Sequence, residues 1–220
     1  MQAAIIVFPG TNRERDAAMA LERVVGVKPR LVWHADRDFP KVDLIILPGG
    51  FSHGDYLRTG AMAAHAPIMR EVAERAKKGV RVWGICNGFQ ILCEAHLLPG
   101  VLLRNAGLKF ICKPVALKVA NADSDFTRLC KPEQGIRAII AHGDGNYFAD
   151  TDTIKKIEDN EQVAFRYREN PNGSLNDIAG IYNKNRNVLG MMPHPEDAVE
   201  PLHGSADGAV LFKSIAEALG

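Results

Sequence analysis

Cysteine is scarce: Cys86, Cys93, Cys112 and Cys130 are the four in 220 residues, and none forms a C-x-x-C pair. Without such spacing or a secretion signal, no disulfide framework is expected, and a reducing cytosol is. The chain also lacks a long apolar run; nothing approaches the roughly 20 residues that span a bilayer. Its start, Ala3-Ala4-Ile5-Ile6-Val7-Phe8, reads as a strand and has none of the basic and long apolar regions of a signal peptide. Neither sign of charge prevails. Lys and Arg number 27 against 26 Asp and Glu, a formal net charge of +1. That balance selects neither nucleic acid nor an anionic membrane as partner. The seven histidines are scattered, and none pairs with a cysteine or carboxylate at convincing zinc-ligand spacing. His142-Gly143-Asp144 reads as a substrate loop and His194-Pro195-Glu196 as part of a triad, so no metal is expected.

Hydrophobic residues make up 46% of the chain, enough for one α/β domain with a substantial core. No linker, repeat or low-complexity tract divides it, so residues 1–220 read as a single domain. Strands and helices alternate early. Thr11-Asn12-Arg13-Glu14 has the form of a capping box, and the helix after it places Ala17, Ala18, Leu21, Val24 and Val25 on one face before Gly26. Arg30–Trp33 and Val42–Leu47 read as strands, Pro67 as the start of a helix that Gly79 ends, and Val80–Ile85 as a further strand. This order argues for a mostly parallel sheet covered on both faces, with its active site beyond the carboxyl ends of the strands. The second half is richer in strands, at Val115–Val119, Ile136–Ala141, Val163–Tyr167, Ile178–Tyr182 and Val188–Met192. Glu169–Ser174 is a polar turn, and Asp207–Leu219 a closing helix. Gly10-Thr11-Asn12-Arg13 has the look of a phosphate loop but lacks its lysine and further glycines, so ATP is not expected there.

Three segments carry chemistry. Gly84-Ile85-Cys86-Asn87-Gly88 lies between an apolar strand and the helical run Phe89–Ala95. A G-x-C-x-G at a strand-to-helix turn is a nucleophile elbow with sulfur in place of serine oxygen. The helix N-terminus there favours a thiolate. An isolated G-x-C-x-G also fits a buried free cysteine between loop glycines. Met191-Met192-Pro193-His194-Pro195-Glu196 supplies a base and an anion to orient it, although P-H-P-E alone also fits a rigid surface turn. Leu44-Ile45-Ile46-Leu47-Pro48-Gly49-Gly50-Phe51 ends a strand in bare backbone. The N–H of Gly50 or Phe51, with that of Asn87, suits an oxyanion hole.

In their order and combination these segments resemble the class I, triad-type glutamine amidotransferases over nearly the whole chain. Phe8–Arg13, Gly49–Ala61 and Ala141–Tyr147 are similar, within that class, to the glutaminase subunits of phosphoribosylformylglycinamidine synthases. Asn87, where many of the class have leucine, agrees with that subfamily. The resemblance implies a flavodoxin-like α/β fold with extra strands in the second half. It implies that Cys86 attacks the side-chain amide of glutamine, that His194 moves the protons and that Glu196 orients His194. It implies that Gln90 contacts the substrate and that backbone near Gly143 and Asp144 closes the pocket. From the residues alone, Gln90 equally fits a helix residue facing its own first turn, and His142 fits a structural role better than a catalytic one. The resemblance assigns no cofactor to this chain. ATP and magnesium belong on a partner synthetase subunit, accompanied by a small third subunit. The competing readings are a hydrolase or stress chaperone of the intracellular-peptidase branch and a non-enzymatic regulatory module. The first usually places its histidine directly after the cysteine, where Asn87 stands; the complete set of triad residue types argues against the second.

Overall fold

The computed structural model describes residues 1–36 and 38–220. Among them the strands are β1 (Ala3–Val7), β2 (Arg30–Trp33), β3 (Leu44–Leu47), β4 (Arg81–Ile85), β5 (Val101–Leu103), β6 (Ile111–Val119), β7 (Gly135–His142), β8 (Asn146–Phe148), β9 (Val163–Tyr167), β10 (Ile178–Tyr182) and β11 (Val188–Met191). The helices are α1 (Glu14–Val25), α2 (Ala61–Ala64), α3 (Pro67–Lys77), α4 (Asn87–Glu94), α5 (Thr151–Asp159) and α6 (Ala209–Leu219). Nine strands form one sheet in the order β2-β1-β3-β4-β11-β10-β9-β6-β7, and β5 pairs separately with β8. The neighbours from β2 to β11 are parallel. Those from β11 to β7 are antiparallel. The fold is α/β, with the strands of the second half extending the parallel sheet.

The two kinds of strand follow from their sequences. β3 is Leu-Ile-Ile-Leu and buried at every position, as a strand covered on both faces must be. β7 alternates buried and more open residues, as expected of an edge strand with one face outward. On β4, Trp83 reaches Phe212 of α6, ring centroids 5.0 Å apart, while Gly84 faces Leu92 of α4 on the opposite side. That pair of neighbours shows the helical cover on both faces.

Boundaries depart from expectation in a few places. The Thr11–Glu14 capping box does not form. α1 starts without a side-chain cap, because the Thr11 hydroxyl instead accepts the Phe8 N–H at 3.0 Å. Its far end does stop at Gly26, in the left-handed conformation at φ 69°. β6 begins four residues before the expected Val115, since Ile111–Pro114 pair with Ile139–His142. The α4 helix starts at Asn87, directly after the sulfur. β5, β8 and α5 have no counterpart in the sequence reading; α5 is capped by Asp150, whose carboxylate accepts the Thr153 N–H at 2.9 Å.

Candidate active site

β4 ends at Ile85 and α4 begins at Asn87, so Cys86 makes the whole turn. Its backbone sits at φ 52°, ψ −108°, a strained position for a residue with a side chain. Packing enforces it. A Cβ at Gly88 would run into the Leu47 carbonyl, and one at Gly84 would lie 2.6 Å from the Gly88 carbonyl oxygen. The Cys86 N–H donates to the Met191 carbonyl at 2.8 Å, and its own carbonyl accepts from Phe89 and Gln90. No backbone acceptor takes the N–H groups of Asn87 and Gly88 among the described residues. The other cysteines differ. Burial pushes the Cys93 thiol well up and that of Cys130 to about 11, while Cys112 is exposed on β6.

β11 runs parallel beside β4, with Gly190 opposite Gly84 and Met191 opposite Ile85. The chain leaves it through Pro193, and the His194 N–H donates to the Ile139 carbonyl at 2.7 Å. His194 and Glu196 are both buried, with Nδ1 and Oε1 2.7 Å apart. Burial alone would hold the imidazole neutral. The Glu196 carboxylate and the nearby Cys86 sulfur outweigh it and raise His194 well above 6.5. A Cβ at Gly49 would come within 2.7 Å of Cε1 of His194, so this glycine makes room for the ring. The structure thus brings Cys86, His194 and Glu196 together.

The oxyanion strand is less finished. The Phe51 N–H donates to the Gly10 carbonyl at 2.9 Å, so in this arrangement it is not available to an oxyanion. The Phe51 ring lines the cavity instead. Gly50, at φ 153°, bridges to Thr11, and a Cβ there would meet Thr11 Cα at 2.7 Å. The Pro9–Arg13 turn spends its donors within the protein: Thr11 on Phe8, and Asn12 and Arg13 on Gly49. It has no row of free N–H groups for a phosphate.

Amide side chains build the facing wall. Asn87 accepts the Ser52 N–H at 3.1 Å and donates to Gln90 Oε1 at 2.8 Å. Gln90 donates to the Asp144 carbonyl at 2.7 Å, tying α4 to the loop after β7. Both ends of the Gln90 amide therefore have protein partners. Asn105 accepts the Gly145 N–H at 3.0 Å, donates to the His142 carbonyl at 2.9 Å and lies 3.1 Å from His142 Nδ1; its N–H also donates to the Gly143 carbonyl. Asn172 donates to the Gly145 carbonyl at 2.8 Å. Burial, and then the charge of His194, lower His142 to about 4, so it is neutral at physiological pH and a packed member of the wall.

Together these segments enclose a cavity of about 330 Å³ whose lining includes Cys86, Gln90, Asp55, Arg104, Phe110 and the His142–Asp144 loop. That suits a small polar ligand with one end at the sulfur. A roomier hollow of about 580 Å³, between Asp123, Glu161 and Arg166, shares no residue with it and holds no nucleophile. Among the described residues, no group of three or more His, Cys, Asp or Glu is placed to hold a metal. Among the described residues, no helix is long and apolar enough to cross a membrane. The sequence reading gives no site role to Asn105, Asn172, Asp55 or Arg104; Asp55 and Asn172 enter it only within Gly49–Ala61 and the Glu169–Ser174 turn.

A profile of the CobB/CobQ-like glutamine amidotransferase domain matches residues 1–209. Phosphoribosylformylglycinamidine synthase subunit PurQ of Rhizobium etli is 56% identical over 216 residues, 97% of each chain. The protein of the same name from Brucella suis is 59% identical over 215 residues, 96% of each. A chain of the PurLQS structure from Thermotoga maritima superposes with a TM-score of 0.92 at 47% identity, covering 100% of this chain and 99% of the other.

Proposed function

The chain belongs to the CobB/CobQ-like glutamine amidotransferase family, and on that premise we propose that it is the glutaminase subunit of a phosphoribosylformylglycinamidine synthase. It hydrolyses glutamine and passes the ammonia to a synthetase subunit, which converts formylglycinamide ribonucleotide to formylglycinamidine ribonucleotide. The relatives match over nearly their whole length, so the reading applies to the whole chain. Its partners are the synthetase and a small third subunit, in keeping with the PurLQS assembly. In this reading ATP and magnesium act on the synthetase subunit.

The observation that carries the reading is the strained Cys86 beside the His194–Glu196 pair. Glu196 and the nearby Cys86 sulfur raise His194 well above 6.5, which suits the imidazole to deliver a proton beside the sulfur. Cys86 attacks the side-chain amide carbon of glutamine. The negative charge on the amide oxygen is met by the free N–H of Asn87, with Gly50 on the opposite strand. His194 donates its proton to the departing nitrogen, giving ammonia and a γ-glutamyl thioester. The neutral imidazole then takes a proton from water as the water attacks, and collapse releases glutamate and the thiolate. Glu196 fixes the Nδ1–H tautomer throughout. In the intracellular-peptidase reading the base would follow the sulfur directly; here Asn87 holds that place, with its amide bonded to Ser52 and Gln90. The test is to assemble the chain with its synthetase and measure glutamate release against ribotide product. One glutamate per product is expected; product formed from glutamine without glutamate would overturn the reading.

A further inference from the structure

Arg13 lies at the start of α1, far in sequence from the triad, yet its side chain ends beside it. One guanidinium nitrogen is 3.1 Å from Asp197 Oδ1 and the other 3.0 Å from Oδ2, a two-point pairing across 184 residues. The first nitrogen also lies 3.4 Å from Asp16. Asp197 directly follows Glu196. Burial opposes the charge on Arg13, but Asp197, Asp16 and Glu196 together more than compensate. The stem of Arg13 passes the oxyanion strand, where a Cβ at Gly49 would sit 3.2 Å from Arg13 Cγ and 2.7 Å from the His194 ring. The Arg13 backbone is fastened to that strand as well, its N–H donating to the Gly49 carbonyl at 3.2 Å. One residue therefore touches the oxyanion strand with its backbone and stem, and the turn carrying the base and its carboxylate with its head.

Glu196 needs such a neighbour. Its side chain is fully buried, and Oε1 faces His194 while Oε2 has no hydrogen-bond partner. A buried carboxylate with one unmet oxygen is held by nearby positive charge. A hollow of about 320 Å³ opens on Arg13, Asp197 and Glu196 from the surface, behind the triad and separate from the substrate cavity.

We propose that Arg13 is a positioning residue of the glutaminase reaction, acting through Glu196. Its paired guanidinium supplies the charge that keeps this carboxylate ready for His194 and locks the His194–Asp197 turn to the oxyanion strand. It touches neither glutamine nor the reacting atoms. The proposal rests on the triad reading above, and its test separates the two.

Arg13→Gln and Arg13→Lys are made alone and with Glu196→Gln, assembled with the synthetase and assayed for glutamate release. Ammonia-dependent synthesis confirms that each complex is intact. For Arg13→Gln, kcat should fall roughly 10- to 100-fold, the scale on which a displaced catalytic group costs rate, with KM nearly unchanged. Arg13→Lys, which keeps the charge, should recover part of the loss. The acid limb of the kcat profile should move to higher pH in Arg13→Gln, because Asp16, Asp197, Glu196 and His194 then share a site with one cation fewer. In the Glu196→Gln background the Arg13→Gln change should cost less than about twofold, since the carboxylate it acts on is gone. An equal loss in both backgrounds would make Arg13 a structural residue only and overturn the proposal. A wild-type kcat in Arg13→Gln, or an effect on KM alone, would do the same. Wild-type kcat in Glu196→Gln by itself would overturn the triad reading and this one with it. If Arg13→Gln fails to assemble, Arg13→Lys and Asp197→Asn carry the same comparison.

Discussion

The elbow at Cys86 and the loop over 51–60 line one cavity and are built in opposite ways. The elbow is buried and over-determined: Gly84 and Gly88 sit against each other, and backbone carbonyls block any added atom. The loop is held at a few points and otherwise open. His53, Gly54, Asp55 and Gly60 all have positive φ, and Tyr56 and Leu57 are largely exposed. Its anchors include the His53 N–H on the Pro9 carbonyl at 2.6 Å, the Ser52 N–H on Asn87 and a two-point ion pair between Arg58 and Glu94. Even its candidate oxyanion donor at Phe51 is turned onto Gly10. The nucleophile is thus fully prepared, and the charge-stabilising side is the part left adjustable. That is where control of an otherwise wasteful glutaminase belongs.

The largest effect should come from the rigid side. Cys86→Ala should abolish glutamate release and leave ammonia-dependent synthesis by the complex intact; wild-type glutamate release would break the assignment of the elbow. His194→Ala should cost roughly 10²–10⁴-fold, more than Glu196→Gln, because the base moves protons in both half-reactions. Superimposable pH–rate profiles for wild type and the His194 variant would contradict this. On the adjustable side, the lone chain should release glutamate more slowly than the assembled complex by roughly 10²–10³, the value of one oxyanion donor. Equal rates would mean that the loop is already in its working arrangement.

Stability should divide the two regions in the same sense. Gly88→Ala pushes a methyl group into a backbone carbonyl and should cost more than about 3 kcal/mol. Gly54→Ala, at φ 77°, meets only the movable ring of Tyr56 and should cost about 1–2 kcal/mol. Urea unfolding of both variants tests the ranking. The smallest effect concerns the wall. His142 has its folded value depressed to about 4, so the unfolded chain binds its proton first as pH falls from 6.5. Stability should then drop between pH 6.5 and 4, by on the order of 3 kcal/mol if His142 acts alone. His142→Gln should flatten that part of the urea-midpoint profile. His194 has the opposite sign: its contribution is present below 6.5 and is lost as pH rises through its raised folded value.

What the sequence disclosed follows the same division. β1, β3, β4 and β11 are short apolar runs buried on both faces, and their pattern is legible without knowing their neighbours. The elbow and the Pro-fenced histidine were legible because each sets its own geometry within a few residues. α5 was not, because Ile154 and Ile157 are its only large apolar residues; the Asp150 cap was the available signal. β5 and β8 are three residues each, too short for periodicity. The cavity wall was hidden for a different reason. Asn105 meets His142 and Gly145 across 37 and 40 positions, and Arg13 meets Asp197 across 184. An asparagine or arginine has no local mark of such a distant contact.

The pairing of Gly84 with Gly190 and of Ile85 with Met191 has a consequence for how such a chain can change. About a hundred residues separate the sulfur from the base along the chain, yet they leave adjacent parallel strands, whose spacing of about 4.8 Å is set by backbone hydrogen bonds. The length of the intervening chain has no part in fixing that separation. The whole antiparallel half, β6 to β10, is in effect an excursion between two neighbouring strands. Lineages are therefore free to lengthen, trim or re-sculpt that excursion, and with it the pocket wall and any docking face, without disturbing the distance over which the proton travels. Change inside β4 or β11 has no such freedom, since one residue of slippage in their register would carry the nucleophile past its base.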